Sequence, residues 1–98
     1  MGNIIMSNRI TVKFLRSQAD NLNFLTQSPA KTYVKQDGKL VGQIGNFYIS
    51  EQNNGYSLVR VTNEGGACTD IFRKGHIPAR ELSGMIDALM VGYQLAND

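Results

Sequence analysis

Tryptophan is absent from this 98-residue chain, and cysteine and histidine occur once each, as Cys68 and His76. So few soft or nitrogen ligands exclude a tetrahedral zinc site. A lone cysteine forms no internal disulfide, and no Asn-x-Ser/Thr acceptor occurs. Both absences fit a reducing, cytoplasmic setting. Only two prolines accompany ten glycines, the balance of a turn-rich fold with short loops. No apolar run approaches the ~18 residues of a membrane span, so no membrane partner is expected. The opening MGNIIMSN lacks the basic cluster and the h-region of a secretory signal. Met6 also stands where a myristoylation pattern needs Ser or Thr.

Charge of one sign is scarce too. Ten Lys and Arg stand against eight Asp and Glu, a net charge of +2. A dedicated nucleic-acid module is usually more basic and more clustered. Acidic residues are scattered singly, so no carboxylate pair or EF-hand loop is visible. Gly42-Gln43-Ile44-Gly45 lacks the third glycine of a dinucleotide fingerprint, and no Gly-x-x-x-x-Gly-Lys-Ser/Thr occurs. Cys68 lies in no recognisable nucleophile signature. It reads as a small strand residue, although His76 and Asp70 would be the base and orienting group that a nucleophile needs. No enzymatic activity, cofactor, metal or catalytic residue is expected.

What is present is the composition of a globular chain, 42% apolar and 18% charged, and a length suited to one domain, residues 1–98, with 1–8 expected as a flexible tail. Leu82, Met85, Ile86, Leu89, Met90 and Tyr93 fall at offsets of 0, 3, 4, 7, 8 and 11, an apolar helical stripe over residues 79–96. Pro78 suits the first helical position, and Glu81 complements the dipole. Gly84 borders the stripe, where close packing of the helix on a sheet would explain it. Upstream, Asp37-Gly38, Asn54-Gly55 and Gly65-Gly66 are turn signals between strand-like runs at 32–35, 40–41, 46–50, 56–62 and 68–72. Gly42 and Gly45 make residues 40–50 either one bulged strand or two short ones. Residues 9–15 alternate like a strand, but Val12, Leu15, Ala19 and Leu22 also keep helical spacing. A helix within Asn8–Thr26, ended by Ser28-Pro29, is favoured over a strand. The expected fold is α+β: an antiparallel meander of three or four strands packed by the C-terminal helix, with a second helix near the N-terminus.

Arg60 sits inside the run Tyr56-Ser57-Leu58-Val59-Arg60-Val61-Thr62. As a strand this places Tyr56, Leu58, Arg60 and Thr62 on one face and Ser57, Val59, Val61 and Asn63 on the other. The helical stripe is expected to meet Val59 and Val61, with Arg60 at a rim on a snorkelling stem. The local concentration of positive charge is Arg73, Lys74, His76 and Arg80, where the last strand hands over to the helix. A helix N-terminus flanked by basic groups suits an anion. Arg60, Arg73, Lys74, His76 and Arg80 are therefore the candidate binding residues, with Tyr33, Tyr48 or Tyr56 as stacking groups if the ligand is nucleic acid.

The order helix, three strands, helix is also that of double-stranded-RNA-binding domains. The analogy is topological only, because their lysine-rich start to the second helix reads Pro78-Ala79-Arg80-Glu81 here. Residues 54–92 contain Asn54-Gly55-Tyr56-Ser57-Leu58-Val59-Arg60-Val61-Thr62-Asn63-Glu64-Gly65-Gly66, then Asp70-Ile71-Phe72, Gly75 and Ala79-Arg80-Glu81-Leu82. This resembles a pattern in small uncharacterised phage and prophage proteins. The resemblance implies an accessory protein that occupies a host macromolecule, most readily a host protein and as an inhibitor, with nucleic acid as the alternative. A homodimer is also expected, through the Cys68–Phe72 edge strand or through an apolar helix surface extended by Met85, Met90 and Tyr93.

Overall fold

The computed structural model describes residues 9–98, so the expected tail at 1–8 lies outside the described residues. The ambiguous N-terminal stretch is a helix, α1 (Val12–Thr26). Thr11 caps it, its Oγ1 accepting from the Phe14 N–H at 3.1 Å. Gln27 in the left-handed region ends it, and its N–H turns back to Asn23 and Phe24. Leu15, Ala19 and Leu22 are buried as their spacing requires. The C-terminal helix, α2 (Ala79–Ala96), starts one residue after Pro78, which stands at the N-cap. No helix among the described residues is long and apolar enough to cross a membrane.

Five strands lie between the helices: β1 (Tyr33–Gln36), β2 (Lys39–Gly42), β3 (Phe47–Gln52), β4 (Gly55–Val61) and β5 (Cys68–Asp70). The last three form one antiparallel sheet in the order β3-β4-β5, and the first two pair only with each other. Residues 40–50 are thus two strands, broken between Gly42 and Phe47. Asp37 and Gly38 both have positive φ, as a type I′ hairpin requires. The next turn falls one residue earlier than its sequence signal. Asn53 and Asn54 take φ of 51° and 65°, and Gly55 already pairs with Gln52.

Both helices cover one face of the sheet. Leu15, Ala19 and Leu22 of α1 and Leu82 and Ile86 of α2 meet Phe47, Ile49 and Leu58. This corrects the expectation that the α2 stripe meets Val59 and Val61. The register pairs Ile49 with Leu58 and Phe47 with Arg60, so the large apolar groups of two strands sit on the Leu58 side, and the helices follow the larger area. Val59 and Val61 are buried on the opposite face. Tyr48 stands across from Val59 and Cys68 across from Val61.

The helices run side by side in the same direction. Gln18 of α1 donates through Nε2 to the Ser83 carbonyl (3.2 Å) and to Asp87 Oδ1 (3.0 Å). Farther along, Phe24 and Leu25 face Met90, Val91 and Gln94. The Arg16–Glu51 ion pair ties α1 to β3.

Two buried amides join the irregular segments to this core. Asn23 reads both backbone groups of Phe47, donating to its carbonyl at 2.9 Å and accepting from its N–H at 2.8 Å. Asn46 donates to the Pro29 carbonyl (2.8 Å) and accepts from Thr32 Oγ1 (2.9 Å). The base of the hairpin lies against the β4–β5 turn, where the Gly42 N–H donates to the Glu64 carbonyl at 2.8 Å. A Cβ on Gly42 would come within 2.9 Å of the Asn63 carbonyl oxygen, so only glycine permits this approach.

Ile86, with no exposed surface, sits at the centre of the helix–sheet contact. Ile86→Asp should abolish cooperative thermal unfolding, whereas Leu89→Asp, at a half-buried position, should lower the melting temperature and keep a transition. Asn23→Ala strands two backbone groups and should cost about 2–4 kcal/mol in urea unfolding.

Candidate functional site

The five basic candidates separate into two places. The connector after β5 crosses the sheet at Ile77, which bridges to Tyr56 through two backbone bonds of 2.9 Å. Arg73, Lys74, His76 and Arg80 therefore lie at the Tyr56 end of β4. Arg60 is four residues along the strand, roughly 13 Å away. Its Nε donates to the Gly45 carbonyl at 3.0 Å, and its guanidinium carbon stands 4.5 Å from the Phe47 ring centroid. Arg60 is the rim residue its run suggested, with its stem and charge laid over an aromatic face. It borders a cavity of about 310 Å³ lined by Leu22, Phe47, Leu89 and Tyr93.

The connector itself is shaped by Asp70. One carboxylate oxygen accepts from the Arg73 N–H at 3.2 Å and the other from the Gly75 N–H at 2.9 Å. This holds Arg73 in the left-handed region, at φ 58°. Asp70 is thus a loop clamp, not a partner that orients the imidazole. Lys74 reaches Glu81 on α2 at 3.7 Å, with both groups about half exposed, so the pair contributes little to stability. Because α1 and α2 run in the same direction, their N-terminal ends lie together. Lys13 and Arg16 lie in the first turns of α1, where Arg16 is paired with Glu51 of β3.

His76 and Cys68 are held by different partners. His76 Nε2 lies 3.0 Å from Ser50 Oγ and 3.5 Å from Ser57 Oγ, on the face opposite the helices. Gly55 permits this packing, since a Cβ there would lie 2.9 Å from His76 Cβ. Cys68 is an exposed strand residue and bonds with Tyr48. That hydrogen bond, followed by burial and by the neighbouring Cys68 and Tyr33 charges, pushes the Tyr48 hydroxyl up to about 12. Tyr33 reaches the same face, close to Gly66. Tyr56 lies on the helix side, packed against the core, so the three tyrosines form no common stacking platform. Among the described residues, no three His, Cys, Asp or Glu side chains gather as metal ligands.

The exposed apolar groups are what sequence reasoning missed. On the β1–β2 arm Leu40 is 70% exposed, and in the turn between β2 and β3 Ile44 is 57% exposed. On the helical layer, Phe24 is 88% exposed. It lines a cleft of about 630 Å³ with Leu25, Met90 and Val91. Lys35 pairs with Leu40 across the hairpin, and Lys31 and Lys39 flank the arm. A signal for the arm was present: the four-residue strands Tyr33–Gln36 and Lys39–Gly42 are too short to cover their own apolar residues. Comparison of the chain with protein-family models, with curated proteins and with solved structures finds no match.

Ultraviolet titration should show one of the four tyrosines ionising near pH 12. The folded chain holds this phenol neutral, so its contribution to stability is full below pH 10, the ordinary value, and is lost as pH rises through about 12. Cys68→Ala should draw the late ionisation back towards 10 and narrow that window.

Proposed function

We propose that this is a non-enzymatic binding protein of phage or mobile-element type, which occupies a host protein through the β1–β2 arm and inhibits it by doing so. The observation that carries the reading is the exposure of Leu40 on a hairpin that also carries Lys35 and Lys39, with Ile44 exposed in the turn just beyond its base. An apolar centre with a basic rim suits a protein surface that offers an apolar pocket bordered by carboxylates. The arm is held by backbone bonds at Gly42 and by the Asn46 amide, so its tip is free to enter such a pocket. The resemblance of residues 54–92 to small phage and prophage proteins supports the same reading.

One observation favours a second reading, nucleic acid. Arg73, Lys74 and Arg80 lie in and just after the connector that leads into α2, and helix N-termini favour anions. The nearly balanced net charge ranks it second.

Affinity capture from host lysate, with and without nuclease, separates the readings. A captured protein should survive nuclease and be lost on Leu40→Asp/Ile44→Asp, with the melting temperature unchanged because both sites are exposed. Arg73→Gln/Lys74→Gln/Arg80→Gln should leave that capture intact. Recovery of nucleic acid instead, with a salt slope flattened by roughly 2–3 units in the triple variant, would put the second reading first.

A further inference from the structure

The core stripe of α2 loosens towards its C-terminal end. Leu82 and Ile86 are buried, Leu89 is half-buried and Tyr93 is 36% exposed. Gly84 borders this stripe, yet a Cβ there would meet nothing within 4 Å, so packing on the sheet does not explain it. The space left between the two helices and the Arg60 end of β4 is the cavity of about 310 Å³ bordered by Leu22, Thr26, Phe47, Arg60, Leu89 and Tyr93. Its floor is core. Leu22 and Phe47 belong to the central cluster, and Leu89 packs against it. The last carbonyls of α1 do not compete for Arg60. That of Leu22 accepts from Thr26 Oγ1 at 2.8 Å, and those of Asn23 and Phe24 accept from the Ser28 and Gln27 N–H groups.

Arg60 is the charge at this cavity, and it is held in place. Its Nε–H is bonded to the Gly45 carbonyl at 3.0 Å, and its guanidinium lies 4.5 Å from the Phe47 ring centroid. These contacts leave the Nη1–Nη2 edge open. Arg16 and Lys74 each reach a carboxylate, whereas Arg60 reaches none among the described residues. The lining itself holds no acid, and Asp98, in a neighbouring cleft that shares Tyr93, makes no ion pair with Arg60. Two parallel N–H groups on a fixed planar fork match the two oxygens of one carboxylate. No second Lys or Arg lines the cavity, so a singly charged head is balanced there and a phosphate dianion is not. At the ~30 Å³ of a water-sized group, the volume takes a body of roughly ten heavy atoms. We propose that this cavity binds a small monocarboxylate of the medium-chain fatty acid class. Its head pairs with Arg60, and its apolar chain lies over Leu22, Phe47 and Leu89, as in other largely apolar pockets with few polar groups.

This inference is independent of the hairpin reading, and its test keeps the two apart. In nitrogen-edited NMR titrations of the full chain, decanoate should shift the Arg60 Nε–H signal and the Leu22, Phe47 and Leu89 amides, with a Kd on the order of 0.1 mM. Octanoate, shorter by two methylenes, should bind roughly tenfold more weakly. Acetate has the head alone and decanol the body alone, and each should lose about tenfold or more against decanoate. Arg60→Gln should weaken decanoate about tenfold with helical circular dichroism intact, and Arg60→Lys, which keeps the charge and loses the fork, should fall between. Leu40→Asp should bind decanoate as the wild type does. Decanol binding as tightly as decanoate to the wild-type chain would overturn the proposal. So would undiminished binding in Arg60→Gln, shifts confined to the Phe24–Val91 cleft, or no saturable binding below the micelle concentration.

Discussion

Two side-chain amides hold the irregular half of this chain to its regular half. Between α1 and β3 lie some twenty residues with no apolar face large enough to pack on the core. Asn23, on the last turns of α1, satisfies both backbone groups of Phe47 and so fixes where β3 begins. Asn46, one residue earlier, binds the loop at Pro29 and Thr32, and its own carbonyl accepts from Val61 at 2.9 Å. Both side chains are almost wholly buried. In that setting a satisfied amide is cheap and an unsatisfied one is costly, which makes the arrangement specific as well as stabilising. The position of the sheet under the helices, and of the hairpin beside the sheet, depends on these contacts.

Much of the architecture was legible because periodicity and turn chemistry agreed. The α2 stripe buried Leu82 and Ile86, and Asp37-Gly38 made the hairpin it signalled. The face of β4 that meets the helices was not legible. Leu58 on one side and Val59 and Val61 on the other are all apolar, so alternation within the strand cannot choose between them. The choice was made by the neighbouring strand, through Phe47 and Ile49, and register is a tertiary property. Turn position shifted for a local reason: asparagine tolerates positive φ, so Asn53-Asn54 serves as the turn and frees Gly55 to pack against His76.

The candidate site was legible as a set of residue types and not as a place. Arg73, Lys74, His76 and Arg80 are neighbours in sequence, but His76 is held by Ser50 and Ser57 on the face away from the helices while Lys74 reaches Glu81 on α2. Arg60 was drawn away from them by Phe47 and Gly45, because a strand separates in distance what the sequence lists close together. The exposed groups Phe24, Leu40, Ile44, Val91 and Leu95 belong to apolar patterns that look like core until the core is seen to be full. Gln18 shows the opposite. Its Oε1 is buried with no hydrogen-bond partner, while its amide nitrogen serves two acceptors on α2. The helix–helix contact accepts that cost in exchange for a fixed register between parallel helices.

The hairpin is joined to the rest by a few polar bonds, and not by a share of the hydrophobic cluster. Opening it therefore exposes little apolar surface and breaks few contacts, so the free energy of that excursion lies well below that of global unfolding. A helix–sheet body built on one hydrophobic cluster thus carries an arm whose two strands pair only with each other.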